Sequence, residues 1–104
     1  MKPRNLEYKL EITYNAGRTL DKINDLDHKI AVIISNHIDR LSEDPYTLRS
    51  GVDIKKITNS DPTTYRLRIG AQMRIEYTVN DDNHTVTIER IIPAKRRNTD
   101  YNKR

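Results

Sequence analysis

The sequence predicts an α+β domain of two layers. An antiparallel sheet carries a helical hairpin on one face, in the order βααβββ with a basic C-terminal tail. Three observations predict this. Apolar and polar residues alternate strictly near the start of the chain and in three segments beyond Thr63, the period of a half-buried strand. Between them, two segments repeat apolar residues at spacings of three and four, the period of an amphipathic helix. Each element therefore has one apolar surface. Helices and sheet must bury these against each other, which leaves the second sheet face open.

The 104 residues fit one domain, residues 1–104. The chain is polar, with 35% hydrophobic and 33% charged residues and a mean hydropathy of −0.87. Phe and Trp are absent, so the core must come from Ile, Leu, Val and the six Tyr. The chain lacks cysteine, which removes disulfides and Cys-based zinc sites and suits a reducing, cytoplasmic setting. Its start, MKPRNLEYKLE, contains no apolar leader segment, and no run of about 18 apolar residues occurs. Neither secretion nor a membrane span is expected.

In NLEYKLEIT, Leu6, Tyr8, Leu10 and Ile12 face one way and Glu7, Lys9 and Glu11 the other, which gives the first strand. AGRTLDKIND places Ala16, Leu20 and Ile23 on one side of a short helix. LDHKIAVIISNHIDRLSEDP carries a longer stripe of Leu26, Ile30, Ile33, Ile34, Ile38 and Leu41. Asp25 is the expected N-cap of this second helix, with the hinge near Asn24, and Pro45 ends it at or before Asp44. Residues 46–62 hold a short extended piece at VDIKKI and turn chemistry at TNSDP. Three strands follow. Their apolar sides are Tyr65, Leu67 and Ile69; then Met73, Ile75, Tyr77 and Val79; then Val86 and Ile88. NDDN, Asn80 to Asn83, joins the last two. Arg90 breaks the final alternation and marks a bulge or strand end.

Parity fixes the register around Gly70. A two-residue loop would pair Arg68 with Met73 and mix charge with core. A three-residue loop, Gly70–Gln72, pairs Ile69 with Met73, Leu67 with Ile75 and Tyr65 with Tyr77. That register sets Arg68 opposite Arg74 and Arg66 opposite Glu76. Like charges directly opposite destabilise a strand pair, on the order of several tenths of a kcal/mol. Glu89 is expected to compensate Arg74 in part. A solvated charged face is one explanation of the arginines; the other is an anion site, because guanidinium forks match phosphate oxygens in bidentate fashion.

The charge is uneven. Residues 1–92 contain 14 Lys/Arg and 14 Asp/Glu, so the whole net charge of +4 lies in PAKRRNTDYNKR. Lys95, Arg96, Arg97, Lys103 and Arg104 there suit contact with a polyanion, although many basic tails are simply solvated. His28 and His37 fall on the second helix and His84 starts a strand, without metal-ligand spacing. No Ser-His-Asp signature or glycine-rich phosphate loop is visible. Tyr65 and Tyr77 are core residues by pattern. Tyr101, in a polar tail, has no evident core role.

YRLRIGAQMRIEYTV, followed by TVTIERIIPAKRRNTDY, resembles the RelE/ParE toxin superfamily. The likeness covers nearly the whole chain and is most specific in the hairpin. It implies the toxin of a type II toxin–antitoxin pair, monomeric alone and hetero-oligomeric with a cognate antitoxin. RelE-type members enter the ribosomal A site and cut mRNA; ParE-type members share the fold and poison DNA gyrase. Arg66 and Arg68 match the two basic positions of the family's second strand. Arg74 matches its phosphate-contacting arginine and Arg96 its C-terminal catalytic arginine, with Arg97 as the off-by-one alternative. Tyr101 matches the terminal tyrosine, one residue closer to Arg96 than in the RelE pattern.

Two departures stand out. Met73 replaces an aromatic that commonly precedes Arg74, and Arg66 and Arg68 stand where RelE proper often has lysine. Arginine stabilises charge but does not shuttle protons. The implied reaction is attack of a ribose 2′-OH on its own 3′-phosphate, which needs no metal or other cofactor. Arg66, Arg68, Arg74 and Arg96 would stabilise the phosphorane charge. Lys95, Arg97, Lys103 and Arg104 would bind RNA. Tyr101 would act as base or orient the hydroxyl; the former requires neighbouring guanidiniums to hold its pKa below about 10. Arg96 with Tyr101 favours the mRNA endonuclease. A ParE-like gyrase inhibitor and an inactive RNA- or antitoxin-binding module of the same fold are the alternatives.

Overall fold

The computed structural model describes residues 7–70 and 73–93. The elements are β1 (Lys9–Ile12), α1 (Tyr14–Leu26), α2 (His28–Glu43), β2 (Asp53–Ile57), β3 (Thr64–Ile69), β4 (Met73–Asn80) and β5 (Thr85–Ile92). The five strands form one sheet in the order β1-β5-β4-β3-β2. The α+β, two-layer expectation holds, with one strand more than βααβββ. The extended piece at VDIKKI pairs with β3 and becomes the edge strand β2. Neighbouring strands run antiparallel except β1, which lies parallel to β5 at the opposite edge. None of the described helices is long and apolar enough to cross a membrane.

Helix α1 begins where Thr13 Oγ1 accepts from the Ala16 amide at 3.2 Å. The turn between the helices is at Asp27 rather than near Asn24. Asp27 Oδ1 accepts from the Ile30 amide at 3.3 Å, so Asp27 is the N-cap of α2 and Asp25 lies inside α1. The shift changes the stripe. Leu26 closes α1 and is 77% exposed, and Ile33 is 43% exposed. Ala31, Ile34, Ile38 and Leu41 are the buried face of α2. Helix α2 ends at Glu43, ahead of Pro45 as expected, and Arg49 donates to the carbonyls of Arg40, Asp44 and Thr47 around that end.

The core lies between this hairpin and the apolar sheet face of Ile54, Leu67, Ile69, Ile75, Tyr77, Val86, Ile88 and Ile91. Ile88 and Ile91 are both buried although three apart, which strict alternation forbids. The β4–β5 register resolves this: Glu76 pairs with Arg90 and Tyr77 with Ile88, so Glu89 is an extra residue. This is the irregularity expected beside Arg90, and β5 continues past it. The Glu89 carbonyl accepts from Thr13 Oγ1 at 3.1 Å, so the residue that caps α1 also satisfies the bulge.

Tyr77 is fully buried, and its hydroxyl donates to the Pro45 carbonyl at 2.6 Å, tying the segment after α2 to the middle of the sheet. Its ring stacks on Tyr65, centroids 5.6 Å apart, and Tyr46 meets Tyr65 edge-on. Outside this group, Asp81 accepts from the hydroxyls of Tyr46 at 2.6 Å and Tyr8 at 2.7 Å.

Tyr77→Phe keeps the ring and strands a buried carbonyl. We expect a loss of about 1–3 kcal/mol in urea unfolding, with no change in the sheet's spectroscopic signature. The Tyr46 and Tyr8 hydroxyls hold the Asp81 carboxyl below its ordinary 3.8. Their stabilisation is complete above that value and is lost as pH falls through the lower folded-state value. Thermal melts of Asp81→Asn between neutral and strongly acidic pH should therefore show a flatter acid limb than the parent.

Candidate nucleic-acid interface

The face of the sheet turned away from the helices is built by the same pairing that makes the core. β3 and β4 pair as parity requires: Ile69 with Met73, Leu67 with Ile75 and Tyr65 with Tyr77. Gly70, at φ +66°, ends β3 in a conformation that favours glycine. With the apolar residues inward, Arg68 and Arg74 stand directly opposite each other on the open side, and Arg66 stands opposite Glu76.

The neighbouring strands extend this into rows. One row reads Asp53, Arg68, Arg74 and Ile92 across β2, β3, β4 and β5. The next reads Lys55, Arg66, Glu76 and Arg90. Strands lie about 4.8 Å apart and same-face residues about 7 Å apart along a strand. Arg66, Arg68, Arg74 and Arg90 thus surround Glu76. Arg68 and Arg74 are exposed, and Arg66 is half-buried.

Only one ion pair joins described residues on this face, Arg90 Nε to Glu76 Oε1 at 3.5 Å. Arg66 Nε is buried and without a hydrogen-bond partner among the described residues. Glu89 does not compensate Arg74 as expected. Glu89 is the extra residue at the Glu76–Tyr77 step, where it accepts from Thr78 Oγ1 at 3.0 Å, and Ile92 stands opposite Arg74. Neither Arg68 nor Arg74 therefore forms an ion pair with a described residue, although Asp53 stands opposite Arg68 on β2.

The structure brings together Arg66, Arg68 and Arg74, three of the residues singled out in the sequence. Lys95, Arg96, Arg97, Tyr101, Lys103 and Arg104 lie outside the described residues. Met73 is half-buried against the core, which suits its place inward of Arg74. Tyr65 and Tyr77 are core residues, as their pattern indicates. His28 Nδ1 lies 2.6 Å from Asn24 Oδ1, and His37 Nδ1 lies 2.8 Å from the Ile33 carbonyl. His84 stacks on Tyr8 with centroids 3.7 Å apart. Lys55 and Arg90 were not anticipated as members of the face. Lys55 alternates with buried Ile54, a signal that becomes readable once VDIKKI is taken as a strand. Arg90 becomes readable only once Glu89 is recognised as the bulge. Beside Arg68, a groove of about 480 Å³ runs round the sheet end, lined by His37, Leu48, Arg49, Val52 and Asp53 among others.

No protein-family model and no curated protein sequence matches the chain. Solved structures do. The archaeal RelE–RelB complex from Pyrococcus horikoshii OT3 aligns at 23% identity over 84% of this chain and 94% of that one, with a TM-score of 0.67. The toxin–antitoxin complex RelBE2 from Mycobacterium tuberculosis aligns at 25% identity over 83% and 96%, with a TM-score of 0.64. A YoeB/ParE toxin from Agrobacterium tumefaciens aligns at 18% identity over 81% and 95%, with a TM-score of 0.69. The chain has the α+β fold of these toxins. In fold it is similar to the RelE- and YoeB/ParE-type toxins of these structures.

Removing one member of the opposed arginine pair should relieve repulsion. Arg74→Gln is expected to raise stability by a few tenths of a kcal/mol. The gain should shrink as salt is added to the unfolding experiment.

Proposed function

We propose that this chain is the toxin of a toxin–antitoxin pair and cleaves mRNA on the ribosome. The observation that carries the proposal is the opposed Arg68–Arg74 pair, without an ion pair to described residues and with Arg66 beside it, on the open face of a sheet that has the fold of RelE-type toxins. A register that sets two guanidiniums against each other has a cost in folding. It becomes favourable when a shared anion lies between them. A phosphodiester is such an anion, and bidentate guanidinium contacts fit its oxygens.

In the proposed reaction the ribose 2′-oxygen attacks the adjacent 3′-phosphorus and the bond to the 5′-oxygen breaks. The 2′-OH proton leaves to a base and the 5′-oxygen gains one. The products are a 2′,3′-cyclic phosphate and a 5′-hydroxyl. Arg66, Arg68 and Arg74 stabilise the added charge of the phosphorane, and fixed cations aimed at developing charge are commonly the largest catalytic contribution. From the sequence pattern, Arg96 adds a further cation and Tyr101 bears on the 2′-hydroxyl. Lys95, Arg97, Lys103 and Arg104 add backbone attraction that weakens with salt. The cognate antitoxin is the second partner, and the site of action is the cytoplasm, where ribosomes translate.

The test is induced expression followed by mapping of mRNA 5′ ends, with purified protein on stalled ribosomes as the defined counterpart. New ends within translated codons are expected, lost in Arg74→Ala and strongly reduced in Tyr101→Phe. Intact ribosome-bound mRNA would overturn the proposal. Loss of gyrase supercoiling activity without RNA cleavage would select a ParE-like role in its place. Salt-sensitive RNA binding without cleavage, indifferent to Tyr101, would leave a binding module.

A further inference from the structure

We infer that Glu76 is the group that takes the 2′-hydroxyl proton in the reaction proposed above, on which this assignment rests. Transesterification needs an acceptor for that proton, and guanidiniums do not serve, because they stay protonated at any pH at which the fold survives. Among the described residues, the face that carries Arg66, Arg68 and Arg74 offers three other carboxylates near its centre or edges. Asp53 lies on the edge strand, beyond Arg68 and two strands from Arg74. Glu89 is displaced by the bulge and accepts from the Thr78 hydroxyl. Glu11 lies on β1 beside Thr87, at the far edge. Glu76 alone among them stands within the arginine group.

The charged groups that face Glu76 are Arg66 from β3, Arg90 from β5 and Arg74 on its own strand, with Arg68 on the diagonal and Glu89 at the bulge. Its carboxylate is held from one side only. Oε1 meets Arg90 Nε at 3.5 Å, a long and single contact, and Oε2 has no hydrogen-bond partner among the described residues. The Glu76 side chain is 24% exposed and that of Arg90 60%, so the carboxylate sits lower in the sheet surface than its one cationic contact. A phosphate bridging Arg68 and Arg74 places its ribose one residue step from Oε2. The proton passes from the 2′-oxygen to Oε2 as the oxygen–phosphorus bond forms. Tyr101 is then left to orient the hydroxyl.

A simpler role for Glu76 is to dilute the positive field of four arginines. The two roles move different measurements. As a diluting charge, Glu76→Gln would tighten RNA binding and leave the cleavage rate unchanged or higher. As the base, Glu76→Gln lowers single-turnover cleavage on programmed ribosomes by on the order of 100-fold or more. It does so while binding of an uncleavable 2′-O-methyl RNA is equal or tighter. Glu76→Asp, which keeps a carboxylate, should retain cleavage at a reduced rate. Far-ultraviolet dichroism and melting confirm that each variant is folded. An unchanged cleavage rate in Glu76→Gln, or a Glu76→Asp variant as slow as Glu76→Gln, overturns the assignment. Inactivity of the parent protein on ribosomes instead overturns the nuclease reading, which separates the two failures.

Discussion

The parity of the β3–β4 hairpin is the constraint on which the molecule turns. A strand has two faces and a period of two, so choosing which residues meet the helices also chooses which residues do not. Leu67, Ile69, Ile75 and Tyr77 must all go inward, since each is nearly or fully buried under the helical hairpin. With that settled, Arg66, Arg68, Arg74 and Glu76 have no other place than the open side. The electrostatic penalty between Arg68 and Arg74 is smaller than the loss from exposing even one of those apolar side chains, which is worth about 1.5–3 kcal/mol each. The core dictates the register and the arginines accept it.

Two devices keep the register from drifting. Tyr77 anchors β4 at its centre, because its hydroxyl reaches the Pro45 carbonyl across the core and its ring stacks on Tyr65 of the neighbouring strand. At the β5 side, the extra residue Glu89 restores inward parity for Ile91, and Thr13 satisfies its carbonyl. Thr13 thereby couples the start of α1, the end of β1 and the bulge in β5. In a chain without Phe or Trp, such directional contacts do part of what bulky packing does in richer cores.

Much of this was legible in the sequence, for one reason: alternation and helical periodicity are local, and the hairpin register followed from them without knowledge of the rest. What was not legible depended on partners distant in the chain. VDIKKI has an ordinary local pattern and became β2 only because β3 offered it an edge. The capping residue was misplaced by two because Asp25 and Asp27 are equally suited by type. Asp27 holds the position because the Ile30 amide lies within its reach and because capping there turns Ala31, Ile34 and Ile38 inward together. Glu89 was expected to compensate Arg74, but it is the extra residue at the Glu76–Tyr77 step, and Ile92, three residues further along β5, stands opposite Arg74.

The division of labour between the two faces bears on how such a surface changes its chemistry. Side chains on the open side make few contacts with one another. Arg68 and Arg74 form no ion pair with described residues, and the Glu76–Arg90 contact is long. Their backbone positions are fixed from beneath, by residues that do not touch them. A substitution on the open face therefore alters charge, reach or proton affinity at a defined lattice point without disturbing the register that defines it. That is why positions 66 and 68 can hold arginine or lysine alike. The same lattice accepts either cation, because neither side chain takes part in setting the register.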